Sequence, residues 1–260
     1  MLKKREEEWL MKEQIDTIPV NDAFDSGDEC PFCWLERKAE QSTIRYVAGP
    51  GASYMEPDVR AATDAAGFCG QHLKKLYDYG NTLGSALMLQ THMTGLLQDF
   101  RSGVEGFEIP GKRSIFAKKP VNTEESWWQR LRRRQERCFI CERTEYHMQR
   151  YFHTFFVMLA DPQFREKVEQ SKGFCLRHFA QVMDLAQNQL PNAQREWFYP
   201  VVMKLTEDNL ARVKEDLDWL IAKYDYRNTK ADWKNSRDAL PRTMEKLQGL
   251  HPADPPYKSE

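Results

Sequence analysis

Residues 138–160 read CFICERTEYHMQRYFHTFFVMLA. Two cysteines three apart are followed by several helical turns' worth of chain with no Gly or Pro. The same arrangement stands earlier, where Cys30 and Cys33 precede WLERKAEQSTIRYV. No clear strand alternation appears anywhere, so the spacing predicts an all-α protein. All six cysteines fall into one scheme: a CxxC, a gap, then a CxxH. The first set is Cys30, Cys33, Cys69 and His72; the second is Cys138, Cys141, Cys175 and His178. Two residues three apart on a first helical turn project to one side, so each pair is a ready two-ligand clip. Two clips make a tetrahedron, and Cys₃His is a closed, structural zinc set. Two zinc ions per chain are therefore expected, one within each set.

Other uses of paired cysteines fit less well. Disulfides do not explain the recurring histidine and suit an oxidising compartment, whereas this chain reads as cytoplasmic. A thioredoxin-type CxxC needs a preceding strand. An iron–sulfur cluster accepts three cysteines and a histidine, but the clip geometry favours zinc. The two sets are offset by 108 residues at the CxxC and 106 at the CxxH, and GFC recurs at 67–69 and 173–175. We read this as an internal duplication, with a first half at 18–100, a linker at 101–126, a second half at 127–250 and a flexible tail at 251–260.

Composition limits the partners. In 260 residues, 38 Lys and Arg against 39 Asp and Glu leave a formal charge of −1, so no chain-wide field for polyanions exists. The longest apolar run, Phe155–Ala160, is far short of the ~20 residues needed to cross a bilayer. The first sixteen residues alternate in charge and lack a secretory core, which places the protein in the cytoplasm and away from membranes. GxSxG, P-loop, dinucleotide and HExxH patterns are absent, and four protein ligands deny a metal the open position catalysis needs. No catalytic residue is assigned.

Several further features carry two readings each. Trp127 and Trp128 with Arg130, Arg132, Arg133, Arg134 and Arg137 could neutralise phosphates and stack on bases. A solvated helix face with inward tryptophans is the preferred reading. Ala86, Leu89, Met93, Leu96 and Phe100, and likewise Leu210, Val213, Leu217, Leu220 and Tyr224, recur at helical spacing and are expected in the core. His92 lies opposite the first stripe, placed to meet another element as a hydrogen-bonded histidine, a proton-transfer group or an extra ligand. His147 and His153 are given no role. Residues 216–228 and 231–242 mix aromatics with Asp and Arg, as binding hot spots or as loop anchors.

CPFCxLExK, PDVRxxxxxxGFCxxH, GNTLGSALMLQTHM at 80–93, KGFCLRHF at 172–179 and DLDWLxxKxDYRN followed by SRDALPR together resemble an uncharacterised family of bacterial proteins, common in anaerobic Gram-positive bacteria. The likeness runs from about residue 15 to 250. It implies a cytosolic bacterial origin, with the Cys/His sets as family hallmarks, and brings no activity. The expected protein is a non-enzymatic helical adaptor or regulator that meets a protein partner. A thiol-based redox or metal sensor and a nucleic-acid binder acting through 127–137 are the alternatives.

Overall fold

The computed structural model describes residues 15–107 and 125–249. These are helical nearly throughout, with no strand among the described residues. Helix α1 covers 15–25, and α2 spans Pro31–Ala48. A 3₁₀ turn at Ser53–Met55 leads to α3 (Pro57–Ala66), α4 (Gly70–Tyr79) and α5 (Thr82–Glu105). Next come α6 (Trp127–Gln135), α7 (Phe139–Met158), α8 (Pro162–Gln170), α9 (Leu176–Gln189), α10 (Asn192–Ala222) and α11 (Ala239–Gln248). Helix α5 continues into the expected linker, most of which, at 108–124, lies outside the described residues, as does the expected tail at 251–260.

The chain divides into two compact units, and they do not follow the expected halves. Among the described residues, one unit joins 15–39 with 145–249; the other comprises 40–107 and 125–144. Both boundaries fall inside helices, α2 and α7.

The first unit has an aromatic core. On α7, Met148, Phe152, Phe155 and Phe156 repeat at helical spacing, and they are buried together with Leu159 just beyond the helix. Phe155 stacks on Phe24 at 5.6 Å and meets Phe32 and Phe174 edge-on. Such pairs are worth about 0.5–1.5 kcal/mol each beyond area burial. Helix α10 runs through Pro200, which cannot donate a backbone bond, because Phe198 and Val202 on either side are fully buried. Of its expected stripe only Val213 is in the core; Tyr224 is fully on the surface.

In the second unit Ile44, Val47, Val59, Leu76, Tyr79, Met88 and Ile140 form the core. Helix α5 starts where the Asn81 side chain accepts from the Gly84 N–H at 2.9 Å. The apolar stripe predicted for this core is instead on the outside. Leu89, Met93 and Phe100 are exposed, and the opposite face packs inward through Gly84, Met88 and His92. Close approach on the packed side comes from its glycines: a Cβ at Gly84 would stand 2.8 Å from the Tyr54 ring and one at Gly103 2.5 Å from the Trp127 ring.

Candidate metal centres

The eight Cys and His side chains form two tetrads, and the clips are exchanged relative to expectation. Cys30 and Cys33 meet Cys175 and His178; Cys69 and His72 meet Cys138 and Cys141. Each CxxC thus joins the CxxH of the other set. Both tetrads are built in the same way, at two helix N-termini. Cys30 immediately precedes α2 and Cys33 lies in its first turn, while Cys175 caps α9 in extended backbone and His178 follows on the first turn. In the second tetrad Cys138 and Cys141 hold the same positions on α7, and Cys69 and His72 on α4. Gly67 and Gly173, two residues before each capping cysteine, sit at φ of +63° and +70°, a turn that L side chains resist. Three thiolates and a dication carry a formal charge near −1, and two helix N-termini partly offset it.

The spacing within each tetrad suits a single ion. His178 Nδ1 is 3.4, 3.3 and 3.3 Å from the sulfurs of Cys30, Cys33 and Cys175. His72 Nδ1 is 3.2, 3.2 and 3.3 Å from those of Cys69, Cys138 and Cys141. Sulfur–sulfur separations are 3.6 Å for Cys33–Cys175 and 3.9 Å for Cys69–Cys141. A zinc tetrahedron with bonds of about 2.0–2.3 Å requires roughly 3.5 Å from nitrogen to sulfur and roughly 3.8 Å between sulfurs. The chemistry of the cluster points the same way. Hydrogen bonds with Cys175 and Cys30 push the Cys33 thiol up, and burial together with Cys138 does the same to Cys141. A bound dication would convert those mutual conflicts into four bonds.

Both histidines turn Nε2 toward a carboxylate on α2, one turn apart. Glu40 Oε1 is 2.8 Å from His72 Nε2, and both Glu40 oxygens accept from Lys75 Nζ at 2.6 Å. Burial raises the Glu40 carboxyl, but His72 and Lys75 overcome it and hold it at about 2, so it is an anion. Glu36 Oε2 lies farther from His178 Nε2, at 3.7 Å, and is bound to Arg177. A carboxylate on the outer nitrogen fixes the ring tautomer that presents Nδ1 to a metal. Neither glutamate was singled out from the sequence, although each follows the CPFC clip by three and seven residues on the same helix.

Surroundings separate the tetrads. In the first, all three cysteines are fully buried and the His178 ring lies 5.9 Å from Phe32. Beside it, buried Lys246 donates to the carbonyls of Glu29 and Lys172 at 2.5 and 2.6 Å and pairs with Glu29 at 3.4 Å. Arg212 adds a second cation on Glu29 at 2.5 Å. Helix α11 ends over the tetrad at Gly249, φ +76°, where a Cβ would stand 3.1 Å from Cys33 Sγ. In the second tetrad Cys141 is exposed and Cys69 half-buried.

The family of unknown function DUF6062 matches residues 11–254. The chain belongs to that family. No curated protein and no solved structure matches it. Among the described residues of this DUF6062 member, no helix is long and apolar enough to cross a membrane.

The remaining candidate residues are engaged within the protein. His92 Nδ1 bonds the Asp64 carbonyl at 2.8 Å, and its ring rests on Gly67. Trp127 packs edge-on against Phe100 over Gly103. Arg132, Arg133 and Arg137 pair with Glu136, Glu125 and Glu142, Arg134 with Asp99, and Arg130 with the Glu125 carbonyl. Toward the C-terminus Trp219 Nε1 donates to the Asp232 carbonyl, Lys223 to three loop carbonyls, and Arg242 to Asp216. The two Asp/Arg/aromatic segments therefore bond to one another.

Proposed function

We propose that the protein is a two-zinc helical adaptor or regulator that meets a protein partner and has no catalytic chemistry of its own. One observation carries the reading: each tetrad offers four protein donors at zinc spacing, with the outer histidine nitrogen facing a carboxylate. Such a centre has no vacancy for substrate and contributes to folding instead. The matching turn, cap and helix at the two CxxH clips support an origin by duplication. Elemental analysis of purified protein tests the metal. Two equivalents of zinc are expected; no metal, or iron with visible charge-transfer absorption, overturns the zinc assignment.

The exposure of Cys141, with Cys69 Sγ 3.9 Å away, favours a second reading in which this centre senses oxidants. Two thiolates would give two electrons to peroxide, forming one S–S bond while two protons complete two waters and zinc departs. Zinc release on peroxide titration, reversed by a thiol reductant, supports sensing. Centres inert to peroxide support a purely structural role.

A further inference from the structure

The two tetrads differ in what ties their paired loops together. In the second, the Phe139 N–H at the start of α7 donates to the Gly67 carbonyl at 2.9 Å, a backbone bond from one clip to the turn before the other. In the first, Pro31 holds the position of Phe139 and Gly173 that of Gly67, and a proline has no N–H to give. Among the described residues, no backbone bond joins the loops of the first tetrad. A side chain from α11 stands there instead. Lys246 is 1% exposed, and its Nζ donates to the carbonyl of Glu29, next to Cys30, and to that of Lys172, three residues before Cys175. Burying an ammonium is costly unless acceptors and an anion meet it. Here the two carbonyls take two of its hydrogens, and the Glu29 carboxylate lies 3.4 Å away. A methionine of similar length would fill the same space without that cost, so packing alone does not call for a lysine. Arg242, one turn earlier on α11, pairs with Asp216 of α10 at 2.9 Å and holds the helix in place.

We infer that Lys246 assembles the first metal centre: its ammonium holds the two cysteine loops at ligand distance before an ion arrives, and so does from α11 what a backbone bond does at the second centre. Docking of α11 thereby becomes a step in building that centre. Lys172 Nζ also crosses between the loops, to the Gly27 carbonyl at 2.7 Å, but its side chain is 43% exposed and water competes for the bond. Lys246, shielded from water, is the stronger of the two bridges.

The inference rests on the two-zinc reading and extends it to how one centre is built. Hydrogen exchange of the full, reduced chain, with zinc and without it, tests the bridge. The readout is the first turns of α2 and α9, where the Trp34 and Phe179 amides donate to the Cys30 and Cys175 carbonyls. Without metal the wild-type chain should keep both turns protected; unprotected turns overturn the inference with no variant needed. Lys246→Met should lower this metal-free protection about tenfold or more, and zinc should restore it. Loss that zinc does not restore marks a residue needed only for packing, and unchanged protection marks a bystander; either overturns the inference. Lys172→Met should have the smaller effect, and an equal one moves the bridge to the surface and overturns it too. The two readings fail in different measurements. A chain that takes up no zinc shows it in the mass of the intact protein, whereas failure of the bridge shows in exchange while zinc still binds.

Discussion

The two tetrads share donors, clip order and helix-terminal construction, yet one is sealed and the other is open. Around His178 lie phenylalanines, a buried lysine and the end of α11. Around His72 one sulfur is on the surface and the strongest outer contact is an ionised glutamate. Identical donor chemistry therefore sits in two different settings, and residues far away in sequence make the difference.

The largest effect expected from this contrast is on stability. Cys175→Ser should cost the first unit on the order of 5 kcal/mol, because a buried donor is lost from a sealed site, and Cys141→Ser about 2–3 kcal/mol. Denaturant unfolding with simultaneous metal analysis measures both, and equal losses would erase the contrast. Next in size is metal lability. Excess chelator should remove one zinc at least about tenfold faster than the other, and Cys141→Ser should abolish the fast phase. A single release rate would show that exposure has no kinetic consequence.

Smaller effects refine the picture. Glu40→Gln should weaken metal binding at the open centre about 10- to 100-fold, and Glu36→Gln should do less at the sealed one, since it stands beyond hydrogen-bond reach of its histidine. Competition with a chromophoric chelator reads both. The smallest effect is in pH. Burial and neighbouring Asp28 push the Glu245 carboxyl up to about 7, against the pull of Arg37. The folded state thus binds this proton more tightly than the unfolded state, whose ordinary value is 4.5. The stability this proton contributes is fully present below that value and is lost as pH rises through 7. Glu245→Gln should flatten the slope, and a slope that persists would assign it to another group.

The helical class and the eight convergent side chains were legible because periodicity and the three-residue clip are local properties. Which clips meet was not. Any CxxC can complete a tetrahedron with any CxxH, and sequence proximity favours the nearer one. Helix α2, however, carries the chain about 22 Å away from Cys33 at 1.5 Å per residue, and a loop returning over that length would be needed to bring Cys69 back. Glu40 was hidden for the same reason, since it stands on the helix of one CPFC clip and serves the histidine of the other tetrad. On α5 the periodicity was read correctly, yet Leu89, Met93 and Phe100 are exposed, because helical spacing marks an apolar face without saying what it packs against.

Clip exchange makes the two closures nested: the pair of clips at 69–72 and 138–141 lies wholly inside the interval bounded by 30–33 and 175–178. During translation the inner ring can therefore lock first. The outer thiols must stay reduced and unpaired for on the order of fifteen seconds after they are made, while the ribosome adds residues at about ten per second. An emerging chain therefore exposes all four side chains of the inner group while Cys30 and Cys33 still wait for Cys175 and His178.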